Sequence, residues 1–167
     1  CLRGRADFDT QRQNADWDAR ATQHLDQRLP GQRLRRLALL AVLRSGKWYR
    51  GSGGYVKNFE DAYAKLTGAK HCLATANGTS ALFICLNVLG VEPGDEVLIP
   101  AHTYMATATA VLAAGAIPVI VDVDESITID PAAVEAAIGP CTKAVIPVHM
   151  WGAACNMDAI MDIARRR

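Results

Sequence analysis

Four short apolar runs, CLATA, EVLIP, PVIVDV and AVIPVHM, finish near Ala76, Pro100, Val123 and Met150, at intervals of 24, 23 and 27 residues. Segments of helical character fill the gaps, beginning near Thr79, Tyr104, Pro131 and Met157. Repetition on this scale is what strand–helix units produce, because parallel neighbours need a long crossover between them. None of the runs alternates apolar with polar residues, which is expected of strands covered by helices on both faces. The spacing therefore predicts an α/β chain, a three-layer α/β/α arrangement around a mostly parallel sheet. Such sheets bind ligands at the carboxyl ends of their strands. The residues predicted there are 77–80, 101–104, 122–124 and 149–152.

Composition narrows the function classes. With 167 residues, half of them hydrophobic, the chain can form one ordinary α/β domain or most of a larger one. A net charge of +1 leaves no electrostatic footprint for nucleic acid or an anionic membrane, and the closing Arg165, Arg166 and Arg167 read as a solvated helix end. No run reaches the roughly 18 apolar residues of a membrane span. The five cysteines, Cys1, Cys72, Cys85, Cys141 and Cys155, show no C-x-x-C pair and, except for His71 beside Cys72, no nearby histidine at metal-ligand spacing. They are expected as small core residues of a reducing, cytoplasmic compartment, with no metal. Cys1 at the first position is read as a fragment boundary rather than a processed lipoprotein terminus.

Residues 1–33 form an irregular leader by pattern, and the ordered region is expected over 34–167. It opens with a helix from Leu34 to Leu43 stopped by Ser45-Gly46. A glycine-rich loop with Trp48 and Tyr49 follows. A second helix then places Val56, Phe59, Tyr63 and Leu66 on one face and ends at Gly68.

The strand ends suggest chemistry. At Asn77-Gly78-Thr79-Ser80, glycine allows close approach of a ligand, and the amides of Thr79, Ser80 and Ala81 would point out of a helix start, with two hydroxyls beside them. Phosphate is a natural guest; plain N-capping by Asn77 or Thr79 explains the same residues equally well. The nucleotide loops G-x-x-x-x-G-K-[ST] and G-x-G-x-x-G after a strand are both absent. The glycines of GSGG at 51–54 are expected to serve a turn. Tyr104 stands where a flat ligand would need a stacking partner, with packing at a domain boundary as the alternative. Asp122 and Asp124 read as turn and capping residues. His149 could be a base, a ligand or part of a hydrogen-bonded turn.

Taken in order, SGKWYRGSGGYVKNFEDAYAKLTGAKHCLATANGTSAL, GVEPGDEVLIPAHTYMATATAVLAAGAIPVIVDVD and TKAVIPVHMWGAACNMDAIMDIA resemble the N-terminal half of the DegT/DnrJ/StrS-type aminotransferases. The resemblance implies a pyridoxal-phosphate enzyme of aspartate-aminotransferase fold that aminates keto-sugars or related cyclitols, with residues 34–167 as an incomplete large domain. It implies that Gly78, Thr79 and Ser80 hold the cofactor phosphate and that Tyr104 stacks on the pyridine ring. Trp48 and Tyr49 fall in a loop near the substrate and a partner subunit, and His149 falls in a Pro-Val-His segment on the substrate side or at the interface, with no catalytic role carried over to it. An amino donor such as glutamate or glutamine and a homodimeric assembly are implied as well.

The same resemblance expects a Schiff-base lysine beyond these residues. The lysines present are Lys47, Lys57, Lys65, Lys70 and Lys143, and none occupies that position. The chain is thus expected to be truncated before its catalytic lysine and inactive alone. Two rivals stand beside this reading: a non-catalytic α/β module that binds a phosphorylated ligand, and an inactive remnant.

Overall fold

The structure is a computed structural model that describes residues 31–167; the expected leader lies outside the described residues apart from its last positions. The chain divides into two compact units at Ala74 and Thr75.

The first unit carries α1 (Gln32–Ser45) and α2 (Tyr55–Thr67). Each helix ends on a left-handed glycine, Gly46 and Gly68, where a side chain would be strained. The loop between them turns tightly, with the Ser52 and Gly53 amides both donating to the Tyr49 carbonyl. A Cβ on Gly53 would come within 3.0 Å of the Lys47 carbonyl, so this glycine does serve the turn. The expected apolar face of α2 exists but is not buried: Phe59, Tyr63 and Leu66 are exposed, and Phe59 and Tyr63 stack on each other. The buried residue of this helix is Glu60.

The second unit holds the sheet. Its elements are α3 (Gly78–Val88), β1 (Glu96–Pro100), α4 (Ala106–Ala113), β2 (Ile117–Val121), α5 (Pro131–Ala137), β3 (Thr142–Val145) and α6 (Met157–Arg166). All three strands are parallel in the order β2-β1-β3. β1 pairs with β2 in unbroken register from Glu96 beside Ile117 to Pro100 beside Val121. Against β3 the register shifts once: Glu96 lies beside Thr142 but Val97 beside Ala144, so Lys143 is the extra residue.

Side-chain alternation along β1 creates the two outer layers. Val97 and Ile99 pack with Leu86 of α3 and Ala110 and Val111 of α4. Leu98 faces the other way, into Val134 of α5 and Ile160 and Ile163 of α6. The three-layer α/β/α prediction thus matches the arrangement, with parallel pairing throughout.

Two expectations need correction. The run CLATA forms no strand: residues 71–75 carry no ladder among the described residues, and the Ala74 amide donates to a side chain, Glu60, instead of to a neighbouring strand. AVIPVHM pairs over only its first part, ending one bond beyond β3 at Ile146 N–H to Leu98 O (2.9 Å), where Pro147 brings no donor. Among the described cysteines only Cys155 is a core residue; Cys85 and Cys141 are exposed.

Leu98 is wholly buried between α5, α6 and the sheet. Leu98→Ala is expected to destabilise the second unit by about 2–5 kcal/mol, while Val88→Ala, at an exposed position, leaves the denaturation midpoint in place.

Candidate functional site

The topology defines one crevice. β1 is followed by α4 on the Val97 and Ile99 face, and its neighbour β3 is followed by α6 on the Leu98 face. Crossovers leaving adjacent parallel strands to opposite faces open a gap at the strands' carboxyl ends. The loops that flank it are 101–105 after β1 and 146–156 after β3.

The start of α3 lies toward the same edge. A short link, Leu89 to Asp95, brings the C-terminal end of α3 to the beginning of β1, and Leu82 and Leu86 pack along the sheet face. The helix rises about 16 Å over its length, much as β1 does, so its N-terminus points to where the strands finish.

At that N-terminus Asn77 is extended and its side-chain oxygen accepts from the Ser80 amide at 2.8 Å. Its carbonyl accepts from the Ala81 amide at 3.2 Å, and from the Thr75 hydroxyl at 2.9 Å. Capping and anion binding therefore divide the donors between them. Of the amides expected to be free, those of Ser80 and Ala81 are consumed inside the protein. The amides of Gly78 and Thr79 have no partner among the described residues, nor do the hydroxyls of Thr79 and Ser80. A Cβ built on Gly78 would meet nothing within 4 Å, so the approach to these donors is open. Two amides, two hydroxyls and the positive end of an 11-residue helix are a donor set that fits a phosphate.

Tyr104 presents its ring to solvent, 79% exposed, two residues ahead of α4. His149 is exposed too, but its Nδ1 accepts from the Cys155 amide at 3.1 Å. That bond requires a ring nitrogen without a proton, so His149 is held as the tautomer whose Nε2–H is the outward donor. Two residues after His149, Trp151 has φ 52° and ψ 24°, a left-handed conformation, and is 88% exposed. Bulky residues avoid this region, at a cost of about 1–3 kcal/mol.

The acidic pair at 122 and 124 supplies no acid–base couple. Asp124 accepts from the Ser126 hydroxyl at 2.5 Å and its amide at 2.8 Å, and these bonds hold its carboxyl below the ordinary carboxylate value. It shapes the turn after β2, as its sequence context suggests. Asp130 caps α5 through the Ala132 amide at 2.9 Å, next to Pro131 at the first helical position.

Trp48 and Tyr49 belong to the first unit, both exposed. The Trp48 indole N–H donates to the Leu43 carbonyl at 3.3 Å. The next residue, Arg50, grips Glu60 with both Nε and Nη2, at 2.8–3.1 Å. Glu60 is buried and also accepts from the Ala74 amide at 2.9 Å. One carboxylate thus ties the loop and the 71–74 segment to α2. Sequence reasoning missed this; a glutamate set between Phe59 and Tyr63 on an apolar face was the available signal. No cluster of metal-ligating side chains occurs among the described residues. A cavity of about 630 Å³ lies against β3 near Leu98, Ile138, Lys143 and Ile160, lined chiefly by aliphatic groups and by none of residues 77–80.

Residues 32–167 match the DegT/DnrJ/EryC1/StrS aminotransferase family. The chain belongs to that family. It is 46% identical to the GDP-perosamine synthase of Caulobacter vibrioides over 120 residues, which cover 71% of this chain and 32% of that protein. It is 43% identical to the L-glutamine:scyllo-inosose aminotransferase of Streptomyces griseus over 143 residues, 82% of this chain and 34% of that one. The chain therefore spans about a third of the length of these curated relatives. The crystal structure of 3-amino-5-hydroxybenzoic acid synthase superposes with a TM-score of 0.76 at 44% identity, covering 78% of this chain and 34% of that one. NtdA from Bacillus subtilis, solved with bound PMP, superposes at 0.73 with 42% identity, covering 77% and 29%. Aminotransferases of this family depend on pyridoxal phosphate.

The Ala74 amide, then the Arg50 guanidinium, lower the Glu60 carboxyl from its ordinary 4.5. A lowered carboxyl contributes stability that is present above the unfolded value and is lost as pH falls through the folded one. The wild-type chain is expected to lose denaturant resistance in its first unit on going from about pH 7 to about pH 3, and Glu60→Gln to show a flatter acid limb. Urea denaturation at the two pH values reads the difference.

Proposed function

We propose that this chain is the N-terminal portion of a pyridoxal-phosphate-dependent aminotransferase acting on a keto-sugar or related cyclitol, the cofactor phosphate resting on Gly78, Thr79 and Ser80. The observation that carries this reading is the pair of uncommitted amides at Gly78 and Thr79, flanked by the Thr79 and Ser80 hydroxyls. Asn77 caps the helix without occupying them, so the helix is stable while the cradle stays available. Tyr104, at the end of the central strand, is assigned to stack on the pyridine ring.

When bound, the cofactor supplies an electron sink for the carbon that gains or loses the amino group. The residues of this chain bind and orient it. Gly78 and Thr79 would offer amide hydrogens to the phosphate, the helix dipole would favour its negative charge, and Tyr104 would supply the ring that stacks on it. His149 is assigned to the substrate side or interface, where its Nε2–H would serve as a donor. Trp48 and Tyr49 are assigned to the substrate side or to a partner subunit of a homodimer.

None of the five lysines of this chain is assigned to the proton movement that such chemistry requires. Lys143 is the bulged residue at the beginning of β3, at the opposite end of the strand from the crevice. Lys47, Lys57, Lys65 and Lys70 belong to the first unit, and Lys57 is paired with Asp61. Binding without turnover is the expectation for residues 34–167 by themselves. Glutamine or glutamate as amino donor agrees with the glutamine-dependent relative. A cytoplasmic location agrees with the free thiols of the described cysteines, and no described helix is long and apolar enough to cross a membrane.

Pyridoxal phosphate titrated into the purified protein is expected to bind saturably, with a change in cofactor absorbance and circular dichroism. Thr79→Ala with Ser80→Ala removes two hydroxyl donors to an anion and should weaken binding by about 10-fold or more. Equal affinity in the double variant would remove the cradle from the site.

A further inference from the structure

We propose that Trp151 is an acceptor-binding residue whose indole face receives the ring of the keto-sugar or cyclitol. This rests on the aminotransferase reading and extends it, by naming the residue that meets the acceptor and the surface of the acceptor that it meets.

The first observation is position. Leu98 and Val145 are partners in adjacent strands. Pro100 and Pro147 each lie two residues further on, and Tyr104 and Trp151 each follow their proline by four. The two aromatics thus stand in neighbouring loops on the same edge of the sheet. Tyr104 is committed to the flat cofactor, which leaves the second ring for the second reactant.

The second is conformation. Trp151 occupies a left-handed backbone region although the next residue is Gly152, itself at φ 91°. A glycine or asparagine at 151 would take this shape with little strain. The turn keeps a tryptophan there because the surroundings over-determine it. The Ala153 amide donates to Met150 O at 2.8 Å, the Cys155 amide donates to His149 Nδ1, and Cys155 Sγ donates to Val148 O at 3.2 Å. Cys155 is buried beside Ile160 and Ile163, so the turn is bolted to the core. An observed outlier held by a rigid mount points to a functional constraint.

The third is what the indole offers. It is almost fully exposed, and among the described residues no group accepts its N–H. A polyhydroxylated six-membered ring has an apolar C–H face and hydroxyls at its rim. An indole matches both, with a flat apolar body and one polar edge. His149 Nε2–H, two residues away, is a second donor for a rim oxygen. A rigid aromatic mount also loses little conformational freedom when the ring docks.

The test uses the protein expressed from its complete gene, loaded with pyridoxamine phosphate. Calorimetric titration with two ketone probes, scyllo-inosose and a nucleoside-diphosphate 4-keto-6-deoxyhexose, is compared for wild type, Trp151→Gly and Trp151→Phe. Trp151→Gly is expected to weaken the bound probe by about 10-fold or more. It should also raise KM for the ketone while KM for glutamine holds, and leave the thermal midpoint equal or higher because strain is relieved. Trp151→Phe restores most of the affinity. Equal ketone affinity in Trp151→Gly overturns the assignment, and so does a lowered thermal midpoint with both KM values shifted together, which would mean that the indole packs within the protein. A wild-type protein that binds neither ketone and transfers no amino group fails at the aminotransferase reading itself, and this inference falls with it.

Discussion

Everything in the second unit depends on β1 being buried on both faces. A strand with Val97 and Ile99 on one side and Leu98 on the other cannot be satisfied by a single layer of helices. It needs parallel neighbours at both edges for its backbone and a helical layer over each face for its side chains. Once that is granted, α4 and α6 must lie on opposite faces, and the loops that lead into them must emerge together. The crevice is thus a by-product of covering one apolar strand twice.

The helix start at Gly78 illustrates how one terminus can serve stability and binding together. An α-helix begins with four unsatisfied amides. Here the Asn77 side chain accounts for that of Ser80, while its carbonyl accepts the first regular helical bond, from Ala81. Those of Gly78 and Thr79 stay open to whatever anion arrives. Capping and ligation are usually weighed as competing accounts of such a motif, yet the geometry lets both hold because they concern different hydrogens.

Most of the architecture was legible from spacing, since the apolar runs and the helix caps follow local rules. Glycines at 46 and 68 end their helices where the pattern stops, and Asp130-Pro131 begins α5 as its chemistry dictates. The run at 72–76 misled because strand propensity does not make a strand; a ladder needs a neighbour, and pairing is not written in the run itself. The division of amides at Asn77 depended on side-chain direction, which spacing does not carry. Cys155 read as filler, whereas its amide and thiol fix the turn around His149. Placing Tyr104 beyond the end of a strand required only the strand–helix rhythm. Seeing the strained backbone of Trp151 required coordinates.

The Arg50–Glu60 pair has an evolutionary corollary. Glu60 receives two guanidinium nitrogens and the Ala74 amide, so its carboxylate has little unused capacity and its geometry is set by a planar fork. Lysine in place of arginine keeps the charge but loses the fork, and glutamine in place of glutamate turns an acceptor toward donors with half its valence occupied. Neither position tolerates drift while its partner stays constant. Across related sequences the two should change in a correlated manner, with any double replacement by apolar residues also having to provide a new partner for the amide of residue 74.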